Sequence, residues 1–197
     1  VEERLVALAE CCPALHKLGQ TLARDRRLAP ELRGHLQRLE SLPATTPMAV
    51  IEQTLARELG PLGDLPVALD PPALAEASVA VVVPFRTRAE TAVAGPQRGV
   101  FKVLKPEIEE RLGLELDILR DVGALLDDRC EALGIPPLEY REVFEQVREK
   151  LGTEVDLRGE QRHLRQAAAT YEHEPRVVVP SLLPFCTSRV TAMERID

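Results

Sequence analysis

Gly99-Val100-Phe101-Lys102-Val103-Leu104 is a β-branched and aromatic run with one cation at its centre. Val and Phe at this density fit a pleated, half-buried backbone, and no helical period runs through the segment, so it reads as a strand. Upstream, Ala77-Ser-Val-Ala-Val-Val-Val83 has the same character. The two are expected to pair across the connection from Arg86 to Arg98.

On the N-terminal side the period changes to that of helices. Leu5, Leu8, Ala9, Cys12, Leu15, Leu18 and Leu22 recur at steps of three and four between Glu2 and Arg24, with Pro13 expected to kink or restart the helix. Pro30-Glu31 opens a second helix carrying Leu32, Leu36 and Leu39. Thr46 is expected to cap a third, with Pro47 at its first position and Gly60-Pro61 at its end. On the C-terminal side, residues 107–172 are helical in pattern and hold 17 acids against 9 bases. Gly134-Ile-Pro-Pro137 splits them, and the second helix is expected from Leu138 to Tyr171. Arg176-Val-Val-Val179 and Ser188-Arg-Val-Thr-Ala-Met193 read as two further strands. The expected fold class is α+β: a twisted antiparallel sheet with helices on one side, preceded by a helical extension over residues 1–64, the sheet and acidic block filling 65–197.

The 197 residues are 45% hydrophobic, 29% charged and only 3% aromatic, which calls for a soluble domain with an aliphatic core. The net charge of −7 speaks against nucleic acid, or an anionic bilayer held by overall charge, as a partner. No apolar run approaches the roughly 18 residues of a membrane span, and Val1-Glu-Glu-Arg4 is no secretory signal. The expected location is cytoplasmic or peripheral to a membrane. Cys11, Cys12, Cys130 and Cys186 lack C-x-x-C spacing and are expected to be reduced, and His16, His35, His163 and His173 lack metal-ligand spacing, so no metal site is expected. The chain opens on Val1 and stops at Met193-Glu-Arg-Ile-Asp197 without turn composition, which reads as a segment of a longer protein.

Four local patterns, in order, resemble the UbiB-type atypical kinases, also called aarF-domain kinases. Lys17-Leu18-Gly19-Gln20 is similar to the K-x-G-Q signature of that family's helical extension, and Arg24, Leu28, Pro30, Glu31 and Leu32 follow it as they do there. Pro72-Ala-Leu-Ala-Glu-Ala-Ser-Val79 is similar to the Ala-rich turn that replaces a kinase Gly-rich loop. Val100-Phe101-Lys102-Val103 resembles the strand whose Lys serves nucleotide phosphates, continuing in Lys105-Pro106-Glu107-Ile108. Glu154-Val-Asp156-Leu-Arg158-Gly-Glu160 resembles the E-x-D element and its following helix Glu, and Met193 to Asp197 the hinge between lobes. Separately, the chain uses 21 Arg but only Lys17, Lys102, Lys105 and Lys150 as Lys, so a compact ammonium stands out where it occurs.

The resemblance implies a helical extension packed on a kinase-like N-lobe, with the C-lobe absent from these residues. It implies ATP and magnesium as cofactors, with Lys102 on the phosphates, Glu160 as its partner, and Ala75, Ala77 and Ser78 lining the nucleotide. Lys17 and Gln20 would dock on Glu154 and Asp156. The parent would be an ATP-binding kinase or ATPase supporting ubiquinone (isoprenoid-quinone) biosynthesis, with membrane or lipid-synthesis proteins as partners. These residues hold no H-R-D-like catalytic loop and no D-F-G metal ligand, so no catalytic residue is assigned and the chain alone is expected to be inactive. Glu76 stands where the family keeps Ala, and a carboxylate facing phosphates would repel them unless a cation intervenes. Val81-Val82-Val83-Pro84 stands where the family has Gln-Val-His. These departures keep an alternative open: a nucleotide-free pseudokinase or a protein or lipid interaction module.

Overall fold

The computed structural model describes residues 12–23, 30–37, 45–88, 98–134, 137 and 139–196. In chain order the elements are α1 (Pro13–Leu22), α2 (Pro30–Gln37), α3 (Met48–Leu59), β1 (Val67–Leu69), β2 (Ala75–Glu76), β3 (Ala80–Thr87), β4 (Arg98–Leu104), α4 (Ile108–Leu133), α5 (Tyr140–Val155), α6 (Leu157–Thr170) and β5 (Val190–Glu194). The fold is α+β. The chain forms two compact units, each built from two stretches of sequence: Val1–Ser41 with Glu107–Gly152, and Leu42–Pro106 with Thr153–Asp197. Leu59 and Leu62 share a core with Leu65 and Val67, so position 64 is not the edge of a unit.

The first unit is helical. Ile108, Leu112, Leu116 and Leu119 put one buried stripe along α4, at the spacing that keeps side chains on one helix face. Pro13 stands at the first position of α1, where its missing N–H costs nothing. The next backbone amide, of Ala14, donates to Glu115 Oε2 of α4 at 3.0 Å, and the Cys12 thiol donates to the same oxygen at 3.1 Å. Burial pushes the Cys12 thiol above its usual pKa, and the Glu115 carboxylate adds to the rise against the Leu15 and Ala14 amides. Gly134 ends α4 in the left-handed region, its N–H returning to the Cys130 and Glu131 carbonyls.

The second unit holds a five-stranded antiparallel sheet in the order β1-β3-β4-β5, with β2 on the same edge of β3 as β1. Successive residues of a strand face opposite ways. On one face Val81, Val83, Phe85, Phe101, Val103, Val190 and Ala192 form the core with Ile51 and Leu55 of α3. On the other face lies α6, whose Gln161 reaches Thr191 of β5. Helices therefore cover both faces of the sheet, not one.

Four local expectations are corrected. The helix expected from Leu138 to Tyr171 is two, because Asp156 leaves helical geometry and its carboxylate accepts from Gly159 N at 2.8 Å, an N-cap that restarts the chain as α6. Arg176-Val-Val-Val179 forms no strand: a β-branched run needs a ladder partner, and among the described residues none pairs with it; Val177 N bonds back to Glu174 O, and Val178 is 70% exposed. The strand expected from Ser188 begins at Val190, since the Thr187 hydroxyl takes the Arg189 and Val190 amides. Thr46 does not cap α3; its hydroxyl donates to Glu76 instead. The continuation of the K-x-G-Q-like segment at Arg24 and Leu28, and Cys11, fall outside the described residues.

Candidate functional site

Lys102 stands in the middle of β4, opposite Val82 of β3 and Thr191 of β5, while Val82 is opposite Ala75 of β2. Directly opposed residues in an antiparallel ladder share a face. Ala75, Val82, Lys102 and Thr191 thus make one row across the sheet, on the side away from α3. The neighbours Phe101 and Val103 are buried on the α3 side, which fixes the strand's register and leaves Lys102 facing α6.

The Lys102 Nζ donates to Glu160 Oε2 at 2.6 Å, a short charge-assisted bond. Both side chains keep part of their surface in water, 24% and 31% respectively. Glu160 lies in the first turn of α6, set there by the Asp156 cap four residues earlier. Beside the pair opens a cavity of about 640 Å³. Lys102, Glu160, Glu154, Asp156 and His163 make its polar wall, and Leu164 and Ala167 its apolar one. The sequence expectation that joined Lys102 to Glu160 spans 58 positions, and the structure brings the two side chains into contact.

The Ala-rich turn lies between β2 and β3. Ala75 pairs with Val82, Ala77 N donates to Ala80 O at 2.8 Å, and Ser78 is buried. Lys105 N holds the end of the turn through Val79 O at 2.9 Å. Ala75 stands in the row that carries Lys102, but neither it nor Ala77 nor Ser78 lines the cavity. Glu76 does not face phosphates bound at Lys102. It is opposite Val81, on the α3 face, and accepts from Thr46 N at 2.8 Å, from the Thr46 hydroxyl at 3.0 Å and from Thr45 N. Lys105 Nζ lies 2.7 Å from its Oε1. Burial alone raises the carboxyl pKa, but the Lys105 ammonium and the Thr46 and Thr45 amides outweigh it, so the net shift is downward. The cation that would have to intervene is the next Lys along the chain.

Lys17 and Gln20 are on α1 in the first unit, where the Gln20 Nε2 and His16 Nε2 atoms are 3.1 Å apart. Glu154, near the end of α5, and Asp156, the cap of α6, belong to the second unit. Two roles were missed by sequence reading: that of Lys105, which the sequence shows as one of four Lys and in the continuation of the Lys102 strand but not as the partner of Glu76, and that of Gln161, a buried polar residue on a helix whose neighbours are mostly charged. Among the described residues no three His, Cys, Asp or Glu side chains are grouped to hold a metal ion, and no helix is long and apolar enough to cross a membrane.

Residues 38–197 match the ABC1 atypical kinase-like domain. A probable protein kinase UbiB of Tolumonas auensis is 30% identical over 192 residues, covering 93% of this chain and 33% of that protein. A protein of the same description from Xylella fastidiosa is 28% identical over 197 residues, covering 97% of this chain and 34% of its own length. The chain thus spans about a third of the length of the curated relatives it matches.

Proposed function

The chain belongs to the ABC1 atypical kinase-like family, and from that premise we propose that the cavity at Lys102 is the phosphate-binding part of an ATP site in a kinase- or ATPase-like protein. One observation carries the reading: a strand Lys is held by a helix Glu at 2.6 Å, beside an open cavity, on the face of the sheet that Glu76 does not share. An ammonium positioned this way can bind α/β-phosphate oxygens without being rebuilt for the purpose. The Val81 and Val83 side chains lie on the core face with α3, so their replacement of polar residues takes nothing from the Lys102 side.

Glu154, Asp156 and Glu160 against Lys102 make the polar wall acidic. Such a wall repels a bare triphosphate and suits one whose charge is largely neutralised by magnesium, so these residues fit a magnesium–nucleotide better than the free anion. Magnesium would supply the charge neutralisation that phosphoryl chemistry needs. Lys102 would orient the phosphates, Glu160 would hold Lys102, and Leu164 and Ala167 would exclude water from one side. For the longer protein the proposal extends to a role in isoprenoid-quinone metabolism at a membrane.

Titration of magnesium–ATP, followed by thermal shift, tests the site. The melting temperature of the native chain should rise with millimolar magnesium–ATP, the rise should fall away without magnesium, and Lys102→Ala should abolish it. No rise in either protein would overturn the reading in favour of a nucleotide-free interaction module.

A further inference from the structure

Gln161 is 5% exposed and sits next to Glu160 on α6. Its side-chain amide donates to Thr187 O at 2.8 Å, Val190 O at 3.2 Å and Thr191 Oγ1 at 3.0 Å. Thr191 is fully buried and is the β5 residue directly opposite Lys102. Two polar contacts and two backbone links therefore close a ring: Lys102 to Thr191 by strand pairing, Thr191 to Gln161 by its hydroxyl, Gln161 to Glu160 by adjacency in the chain, and Glu160 back to Lys102 by the ion pair.

A Leu at position 161 would fill such a site without the cost of burying an amide, as Leu157 does one turn earlier. What an apolar side chain lacks is direction. Three acceptors on one strand and its preceding loop fix the rotation of α6 about its own axis, and one residue of rotation is about 100°, enough to carry Glu160 off Lys102. We infer that Gln161, with Thr191, is the positioning residue that aims Glu160 at Lys102. Its consequence for nucleotide binding rests on the site proposed above; its effect on the ion pair does not.

A carbodiimide joins an ammonium and a carboxylate only where they touch, so the yield of the Lys102–Glu160 cross-link, read by mass spectrometry on the full chain well below its melting temperature, reports the geometry without nucleotide. Gln161→Leu should lower the yield by about three- to tenfold, the loss expected from removing buried hydrogen bonds. Thr191→Ser keeps the acceptor and should retain the native yield, whereas Thr191→Val should lower it. Leu55→Ala, a cavity on the α3 face, should lower the melting temperature and leave the yield unchanged, which separates aiming from mere stability. If Gln161→Leu does not fold, Thr191→Val against Thr191→Ser decides the matter by the same measurement. A native yield in folded Gln161→Leu, or equal yields in the two Thr191 variants where only they fold, overturns the inference. A reduced yield in a protein whose native form shows no magnesium–ATP shift would sustain it and remove the nucleotide reading instead.

Discussion

Glu76 gathers two backbone amides, two hydroxyls and the Lys105 ammonium on a side chain that is 9% exposed. Hydrogen bonds to a charged group contribute about 1.5–3 kcal/mol where partners would otherwise be left buried and unpaired, so this residue ties β2 to the entry of α3 more firmly than any exposed pair could. Its carboxyl pKa lies below the ordinary value of 4.5. A depressed pKa means that the folded state holds its proton less tightly than the unfolded state. The stabilisation is therefore complete above that ordinary value and is lost as the pH falls through the folded-state pKa. Glu76→Gln keeps the shape and removes the titration. It should cost about 1–2 kcal/mol at neutral pH, and its urea midpoint should fall less steeply than the native one between about pH 5 and about pH 3. Parallel profiles for the two proteins would show that Glu76 is not a source of acid sensitivity.

β4 can lie flat against β3 only because Gly99 has no side chain. It is paired with Phe85, and a Cβ built there collides with the Phe85 ring and comes within 3.0 Å of Leu183. That ring is stacked on Phe101 with centroids 4.1 Å apart and is edge-on to Phe185, so it has nowhere to retreat. Gly99→Ala should cost about 1–3 kcal/mol by overpacking, seen as a lower urea midpoint, while an unchanged midpoint would mean the aromatic cluster yields freely. At this scale the sequence was partly legible. The strand at Lys102 was readable because Val, Phe and Val leave no helical period, and α3 because Pro47 and Gly60 punctuate it. Arg176–Val179 misleads because β propensity describes a side chain's fit to a sheet, and here no neighbour supplies one. The break at Asp156 carries the right cap residue, but no Gly or Pro stands directly before it to announce a stop; Gly152, four residues earlier, lies inside α5. Among site residues, Lys102 with Glu160 came from the order of motifs. Gln161 with Thr191 and Lys105 with Glu76 are pairings 30 and 29 positions apart, set by strand register and sheet face, which no local pattern encodes.

The two units differ in charge as well as in composition. The helical unit holds 19 acids against 13 bases, and the unit with the sheet 13 against 12, so the excess of acid lies almost wholly outside the unit that carries Lys102. A nucleotide bound at Lys102 therefore meets a nearly neutral unit with an acidic wall, and its stabilisation should be local. A ligand that binds only the folded state adds RT ln(1 + [L]/Kd), about 2.7 kcal/mol at a hundredfold excess over Kd, but only to openings that destroy its site. Hydrogen exchange separates these openings along the chain. Magnesium–ATP should slow exchange in β4 and α6, which supply Lys102 and Glu160, and leave α4 in the helical unit at its original rate. Equal slowing in all three would show that the two units open together as one cooperative body. Unchanged exchange in β4 at saturating magnesium–ATP would leave Lys102 and Glu160 as a structural ion pair, holding a helix to a sheet and binding no phosphate.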